Sequence, residues 1–496
     1  MPPKSGEFSR YEWLASGLLD GTSTHWEQAR DVAFDSQGNI VIVGGTSSAN
    51  FPTTEGAYDR SYGGPGDSGL GTAGETDVFV AKVSRQGKLL WSTFLGGHNY
   101  DRAYAVEVGP NDDVFVAGRA GDGFPTTPGV LQPKFAGDDD PNNLYGKQDG
   151  FAARLSSDGS RLIWSSYFGS TGQGIVRDMD IDAEGNVYVA LTGENTALPY
   201  APQQAGPRSA PRGRHWNGYY GKISSDGRQL LFGTFYGGSN GNVDSVNPSI
   251  RVTPSGDAYL VTFTDATDVD CITPNAYQKK NAGGSDLLLM HYTAQNRLAF
   301  CTYVGGSKDE VMETHVLAVD AAQRVLIGGG SLSSDFPTTP GSLQPHAGGG
   351  YDGILAFISP DGSQLLAGTY LGGPGSDGIE GIEIAPDGDI IFGGSTESAL
   401  PLTPGALRQI LASREALIGR IAPDLSTLKY LSYFGGSGRE EFRGLDVRPN
   451  GEVAYVGQTE SKDFMCKNAF DCKLDPDPFE LNQAITYLML APISNP

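Results

Sequence analysis

The stretch Leu89-Leu-Trp-Ser-Thr-Phe-Leu-Gly-Gly97 decides the fold, because the chain contains six copies of it. Matching segments end at Ser170, Gly238, Gly306, Gly373 and Gly436. Each copy combines β-branched or aromatic residues with terminal small residues, which is typical of a strand that runs into a tight turn. Self-similarity at a period of about 70 residues is the signature of a repeat architecture.

A second marker occurs in the middle of each repeat and is present seven times. It reads Phe51-Pro52, Phe124-Pro125, Leu198-Pro199, Phe336-Pro337 and Leu400-Pro401, with diverged copies at Asp270-Cys271 and Phe464-Met465. The seventh repeat lacks the Gly-Gly strand, but Trp13-Leu-Ala-Ser-Gly-Leu-Leu-Asp-Gly21 matches it. We therefore expect the N-terminal strand to complete the last blade and to close the ring, which removes exposed sheet edges.

Each repeat is interpreted as four strands. In the first they are Asp31–Phe34, Asn39–Gly44, Asp77–Val83 and Leu89–Leu95. The fold class is thus all-β, a seven-bladed β-propeller of four-stranded antiparallel blades in a single domain, 1–496. The expected blades are 22–97, 98–170, 171–238, 239–306, 307–373, 374–436, and 437–496 with 11–21. Long connections between the second and third strands, and between blades, share one face, where function is expected.

The pattern resembles the SBBP family of β-propeller repeats. The resemblance rests on the Gly-Gly ending, the Asp-Gly-Asn type of turn before the second strand and the Phe-Pro-Thr that follows it. It covers nearly the whole chain and implies the fold, but no particular activity. Repeats three, four and seven depart most from the pattern, at Leu198-Pro-Tyr200, Asp270-Cys271 and Phe464-Met-Cys466.

Composition restricts the partners. The 496 residues carry a formal charge of -23, which argues against nucleic acid. No apolar run approaches the roughly 20 residues of a membrane span. Met1 to Arg10 is polar and has no signal-peptide core, so the protein is either cytosolic or written without its signal. We predict an extracellular monomer.

The four cysteines leave two interpretations open. Cys466 and Cys472 lie six apart, and Cys271 and Cys301 share the fourth repeat, so each pair is placed to form a disulfide. Alternatively, all four are buried free thiols. No CxxC pair is present, which disfavours zinc.

One register on the innermost strands brings varied side chains towards the axis. Counted four residues before the apolar residue that ends each inner strand, it holds Arg30, Tyr104, Arg177, Pro248, His315, Glu380 and Arg443. A purely structural repeat position normally holds one residue type, and arginine suits carboxylates because its planar fork binds both oxygens. The alternative is that each Arg pairs with a local acid, such as Asp31, Asp178 or Glu441.

Two loop regions are further candidates. The third blade carries a basic loop, from Pro207 to Tyr220, whose Arg208, Arg212, Arg214, His215, Trp216 and Tyr219 combine cations with faces that stack on sugars. The alternative is a solvated loop whose Trp packs on the blade. His25 and His98 lie in inter-blade loops and are candidates for general acid or base, or are ordinary loop residues.

These residues match the needs of β-elimination at a uronate. The reaction requires a cation on the carboxylate, a base and an acid, and several families of polysaccharide lyases are seven-bladed propellers that use such residues. By this analogy of fold and residue type we predict a secreted polysaccharide lyase, a carbon–oxygen lyase acting on an acidic oligo- or polysaccharide. Arg30, Arg177 and Arg443 would hold the carboxylate, with Glu380, Arg212, Arg214, His215, Trp216, Tyr219 and His25 also contacting substrate. His98, Tyr104 and His315 are the candidate base and acid.

No cofactor is required for this chemistry, although Asp138-Asp-Asp140 and Asp475-Pro-Asp-Pro478 are acidic loops that could bind Ca²⁺. The alternatives are a non-catalytic glycan- or protein-binding scaffold and a glycoside hydrolase. A hydrolase needs a second carboxylate facing Glu380, and Asp101 and Asp309 are the candidates.

Overall fold

The computed structural model describes residues 8–21, 27–64, 76–137, 146–172, 174–193, 198, 200–212, 217–241, 247–474 and 484–494. His25, Arg214, His215, Trp216 and the two acidic loops at 138–140 and 475–478 lie outside the described residues. Within these ranges the chain forms thirty strands in seven sheets arranged as a propeller. No helix in the described ranges is long and apolar enough to span a membrane.

The first strand, β1 (Phe8–Leu19), belongs to the last sheet and is described with it. The first blade contains β2 (Glu27–Phe34), β3 (Ile40–Thr46), β4 (Asp77–Val83) and β5 (Leu89–Leu95). The second contains β6 (Arg102–Val108), β7 (Val114–Ala120), β8 (Asp149–Leu155) and β9 (Leu162–Phe168). The third contains β10 (Gly174–Ile181), β11 (Val187–Gly193), β12 (Gln204–Ala205), β13 (Asn217–Ile223) and β14 (Leu230–Tyr236). The fourth contains β15 (Ser249–Val252), β16 (Ala258–Thr264), β17 (Asp286–Tyr292) and β18 (Leu298–Val304).

The remaining three blades complete the ring. The fifth contains β19 (Glu310–Val311), β20 (Leu317–Val319), β21 (Val325–Ser331), β22 (Asp352–Ile358) and β23 (Leu365–Leu371). The sixth contains β24 (Asp377–Ile384), β25 (Ile390–Thr396), β26 (Glu415–Ile421) and β27 (Leu428–Phe434). The seventh contains β28 (Glu440–Val447), β29 (Val453–Thr459) and β30 (Ala484–Ser494), with β1 antiparallel to β30 at its outer edge.

The predicted closure is therefore confirmed. Gly17 of β1 lies opposite Tyr487 of β30, and Trp13 lies opposite Leu490. Three strands from the end of the chain and one from its start share a sheet, so β30 is paired on both sides and is not left as an exposed edge.

Tight turns join the strands where the sequence predicts them. In the first blade, Gly38 has a φ of 82°. The Asp35 carboxylate accepts hydrogen bonds from the backbone N–H of Gln37 (2.9 Å) and of Asn39 (2.8 Å). Glycine adopts this left-handed conformation without a steric penalty, which is why Asp and Gly recur at these turns.

The Gly-Gly ending has a packing reason. Asp286, at the start of β17, and Glu310, in β19 of the next blade, are buried carboxyl groups that lie next to each other beside Gly305. A Cβ atom on Gly305 would overlap both carboxyl groups. The glycine thus leaves room for polar contacts between neighbouring blades.

Apolar side chains fill the spaces between blades. In the described residues they form seven buried clusters, each shared by two neighbouring blades. Two disulfides, Cys271–Cys301 and Cys466–Cys472, are also present, and the described chain has no free cysteine. The free-thiol alternative is thus not what the structure contains. Disulfides are typical of proteins in oxidising compartments.

The fifth blade departs from the pattern. Its innermost strand is split into β19 and β20, and His315 lies in the break with a left-handed φ of 69°. This interruption explains why the repeats align poorly here. His315 therefore lies outside a regular strand, unlike the residues at the same repeat position in the regular innermost strands.

Candidate functional site

The axial register coincides with a β-bulge in five of the innermost strands. In the first blade, Ala29 pairs with Gly44 and Asp31 pairs with Val43, so Arg30 is left out of the ladder. Tyr104, Arg177, Glu380 and Arg443 are skipped in the same way. A bulge turns the extra residue away from the ordinary pleat, and here it directs these side chains towards one another.

Tyr104 lies at the centre of a group of guanidinium ions. Its ring centroid is 4.3 Å from the Cζ of Arg177, 5.2 Å from that of Arg102, 5.4 Å from that of Arg30 and 5.6 Å from that of Arg119. The tyrosine is 2% exposed. The positive charges of these four groups are attracted to the negative π electrons of the tyrosine ring.

This environment changes the acidity of Tyr104. Burial alone would raise its pKa, but the charges of Arg119, Arg177, Arg102 and Arg30 outweigh burial and lower the pKa to about 7. The phenolate, which is a competent base, is thus populated near neutral pH.

Arg30 and Arg177 have no carboxylate partner among the described residues. The side chain of Arg30 donates to Gln28 Oε1 at 3.2 Å. Burial and the neighbouring arginines lower the pKa of both residues, while the charge of Glu313 opposes this effect from beyond ion-pair distance. Buried guanidinium groups that have no carboxylate partner, only the neighbouring Tyr104, can bind a further anion.

The local-acid alternative fails for these two arginines. Asp31 Oδ2 accepts a hydrogen bond from the backbone N–H of Val106 (2.8 Å), and Asp178 Oδ2 accepts one from that of Ile250 (2.9 Å). Each carboxylate therefore ties its strand to the next blade.

Arg443 behaves differently. It forms a close ion pair with Glu441 and lies 3.9 Å from Glu380 Oε2. Arg414 lies 3.4 Å from Glu380 Oε1. Burial raises the pKa of Glu380 to about 7 despite Arg443 and Arg414, whereas Arg443 and Arg439 lower the pKa of Glu441 against the effect of burial.

Sequence reasoning missed Arg102 and Arg119. They lie opposite each other on β6 and β7, and their guanidinium groups each donate to the hydroxyl of Tyr100 at 3.2 Å. A signal was present at Arg119, because the matching position on other second strands holds small residues such as Gly45, Gly330 and Ser395.

The two candidate histidines differ in position. His315 is 3% exposed and lies between carboxylates, with Nδ1 3.5 Å from Asp178 and Nε2 3.7 Å from Asp31. Burial, with the charges of Arg251 and Arg30, lowers the pKa of His315 to about 3. His98 is exposed and its Nδ1 is 3.0 Å from the carbonyl of Gly63. His98 makes no described contact with the Tyr104 group.

The basic loop of the third blade does not join the Tyr104 group where it is described. Arg208 forms a close ion pair with Asp270, and Arg212 lies 3.7 Å from the same carboxylate. Both arginines therefore connect the third blade to the fourth. Tyr219 is 3% exposed, because β13 places its ring in the core against Phe168 and Phe235, so stacking on a sugar is not open to it.

The partners suggested for Glu380 lie elsewhere. Asp101 accepts hydrogen bonds from the backbone N–H of Gly97 and Gly121. Asp309 accepts one from Ser285. Both cap loops, so neither faces Glu380 as a second carboxylate.

Comparisons with known proteins give structural similarity only. No family model matches the sequence. No curated protein matches it either. Similar solved structures include a protein of unknown function from Dyadobacter fermentans, at 11% identity and a TM-score of 0.43, covering 97% of this chain and 99% of that one. The polysaccharide lyase Uly1 is similar at 7% identity and a TM-score of 0.43, covering 98% and 99%. A quinohemoprotein alcohol dehydrogenase from Comamonas testosteroni is similar at 9% identity and a TM-score of 0.41, covering 97% and 76%.

Proposed function

We propose that this protein is an extracellular polysaccharide lyase that cleaves a uronate-containing glycan by β-elimination. The observation that carries the proposal is the position of Tyr104, a phenol with a pKa of about 7 surrounded by four guanidinium groups. The blades would then be SBBP-type repeats carrying a specialised axial site. The two disulfides support an oxidising location outside the cell.

Arg30 and Arg177 would bind the uronate carboxylate. Neither has a carboxylate partner among the described residues, and both lie beside Tyr104. Neutralising the carboxylate acidifies the proton on the adjacent carbon, because the negative charge that develops there can spread onto the carboxylate.

Tyr104 would act as the base. Its phenolate takes the proton from the carbon beside the carboxylate, a carbon–carbon double bond forms, and the bond to the leaving glycosidic oxygen breaks. The phenol formed in this step can return its proton to the leaving oxygen, so the site is ready for another turnover. His315, with a pKa of about 3 and buried, is not suited to either role at neutral pH.

The test follows unsaturated product by ultraviolet absorbance across a panel of glucuronate- and iduronate-containing glycans. Tyr104→Phe should lower the rate by about 10²- to 10⁴-fold. Tyr259→Phe is the matched control, since its buried hydroxyl has no hydrogen-bond partner among the described residues. The proposal is wrong if no glycan yields product, or if both variants lose activity equally.

A glycoside hydrolase is the second candidate. The observation favouring it is that two carboxyl groups on either side of Arg443 have pKa values moved in opposite directions, upwards at Glu380 and downwards at Glu441. Such a pair is the pattern of an acid and a base. New reducing ends without ultraviolet absorbance, lost in Glu380→Gln, would favour this reaction over elimination.

The third candidate is non-catalytic binding of an acidic glycan. The same two arginines without a carboxylate partner support it, because they can hold an anion without any chemistry. Retention of a uronate oligosaccharide on the protein without any change in its length would favour this function.

A further inference from the structure

A separate cavity of about 180 Å³ lies on the propeller axis, nearer the tight turns than Tyr104. It is lined by the residues three positions beyond the axial register, which include Glu107, Asp180, Arg251, Glu383 and Asp446. The same repeat position on five blades supplies these five charged groups, and Asp31 adds a further carboxyl group to the lining. None of these residues has a role in the proposed function.

Negative charge is in excess in this cavity. Arg251 is the only cation among the described lining residues, and it lies 2.6 Å from Glu383 and 4.0 Å from Glu107. Five carboxyl groups, including that of Asp31, thus share one guanidinium. Burying carboxylates is unfavourable unless a cation or hydrogen bonds compensate for the lost hydration.

Two of the carboxyl groups are hydrogen-bonded to the neighbouring blades. Asp180 Oδ2 accepts a hydrogen bond from the backbone N–H of Val252 (2.6 Å), and Asp446 Oδ2 accepts one from that of Phe34 (2.7 Å). Hydrogen bonds from N–H groups favour the charged form of a carboxyl group. Burial nevertheless raises the pKa of both acids, so these hydrogen bonds fix the position of the two carboxyl groups at the cavity wall rather than their charge.

A second observation points to a ligand. His315 lines the cavity, is 3% exposed, and its Nε2 has no hydrogen-bond partner among the described residues. Its low pKa makes it a neutral ring at neutral pH. A neutral imidazole protonated on Nδ1 has an acceptor at Nε2, which can take a hydrogen bond from a donor such as water.

The size of the cavity indicates the form of the cation. No three described His, Cys, Asp or Glu side chains are arranged to hold a metal ion directly. A water molecule needs only about 10–15 Å³ of cavity volume, so the cavity has room for several waters around an ion. A divalent cation with its first water shell can be accommodated there, and Mg²⁺ in particular gives up its waters reluctantly.

We propose that the axial cavity binds a hydrated divalent cation, held by Glu107, Asp180, Glu383 and Asp446 through its water shell. Water molecules of the shell donate to the carboxylates, and one donates to His315 Nε2. The cation neutralises the excess charge and joins blades two, three, six and seven at the axis. It would stabilise the ring without taking part in chemistry at Tyr104.

The experiment uses the full chain at pH 7.5 and isothermal titration calorimetry. Mg²⁺ should bind, and cobalt(III) hexaammine, which keeps its six ligands and therefore cannot bond directly to a carboxylate, should compete with it. Glu107→Gln should weaken Mg²⁺ binding about tenfold or more, the usual effect of losing an outer-shell partner. Glu55→Gln is the matched control, because it removes the same charge from an exposed loop.

Three results would overturn the proposal. They are no binding of either cation to the wild-type chain, Mg²⁺ binding without competition by cobalt(III) hexaammine, and equal affinities in the two variants. If Glu107→Gln does not fold, crystals of the wild-type chain soaked in cobalt(III) hexaammine decide the question. The anomalous cobalt signal should lie inside the cavity, and a signal only elsewhere contradicts the site.

Discussion

The guanidinium of Arg177 lies over the ring of Tyr104, with 4.3 Å between the Cζ atom and the ring centroid. The two residues come from adjacent blades and are both bulged out of their innermost strands. Their contact joins two blades that are consecutive in the chain, each contributing the bulged residue of its innermost strand. It links the base proposed for elimination to a cation proposed to bind substrate.

Tyr104 should titrate at a far lower pH than the other tyrosines. Its pKa is about 7, whereas burial raises the pKa of Tyr259 and Tyr303 to about 12. Tyrosinate absorbance should therefore increase by the equivalent of one residue as pH rises through 7, and Tyr104→Phe should abolish that step. If the phenolate is the base, the rate of elimination rises over the same interval. A tyrosinate step that persists in the variant would contradict the assignment.

Arg177→Gln should weaken substrate binding and make Tyr104 less acidic. The variant removes a charge that lowers the pKa of Tyr104 and a candidate carboxylate ligand. We expect KM to rise about 10- to 100-fold, as for loss of a charged hydrogen bond, and the tyrosinate step to move to higher pH. Arg85→Gln, which breaks a pair with Glu452 instead, should change neither quantity. A rise in KM without a shift in the tyrosinate step would show that Arg177 does not control the acidity of Tyr104.

Gly305→Ala should destabilise the propeller by about 1–3 kcal/mol, the usual effect of overpacking a core. Its new methyl group would overlap Asp286 and Glu310 between blades four and five. Gly378→Ala is the control, because a Cβ atom there meets nothing within 4 Å. Urea denaturation of both variants measures the difference. Equal stability would show that the Gly-Gly ending is not explained by the carboxyl pairs.

Asp286 should make the protein less stable as pH rises. Burial, together with the neighbouring Glu310, raises its pKa to about 7 against the hydrogen bonds from Ala282 and Gln278. A carboxyl group whose pKa is raised on folding stabilises the fold fully below its unfolded pKa, and that contribution is lost as pH rises through the folded value. Between pH 5 and 7, the free energy of unfolding of Asp286→Asn should therefore fall less steeply than that of the wild type. Asp361→Asn, at an exposed turn where hydrogen bonds lower the pKa, should not alter the slope in this interval.

The repeat made the positions of some site residues predictable, but it could not predict which groups those residues contact. Arg30, Tyr104 and Arg177 could be aligned because the repeat assigns each of them the same position, and that position is a bulge. The partners of these residues could not be read in this way. Asp31 and Asp178 turn to backbone N–H groups of the next blade, although they are adjacent to Arg30 and Arg177 in the chain. The composition of the basic loop suggested a binding site, yet Arg208 and Arg212 both pair with Asp270 on the fourth blade.

The amino-acid sequence by itself determined the number of blades, the tight turns, and the closure by Trp13 to Leu19, because these depend on local strand and turn chemistry repeated along the chain. The tertiary structure alone decided which charges meet. Arg102 and Arg119 converge on Tyr104, and His315 lies between Asp31 and Asp178, because side chains at the axis contact partners from neighbouring and opposite blades. The repeat predicts whether a side chain points towards the axis. Which buried charges then neutralise one another depends on the side chains of all seven blades together.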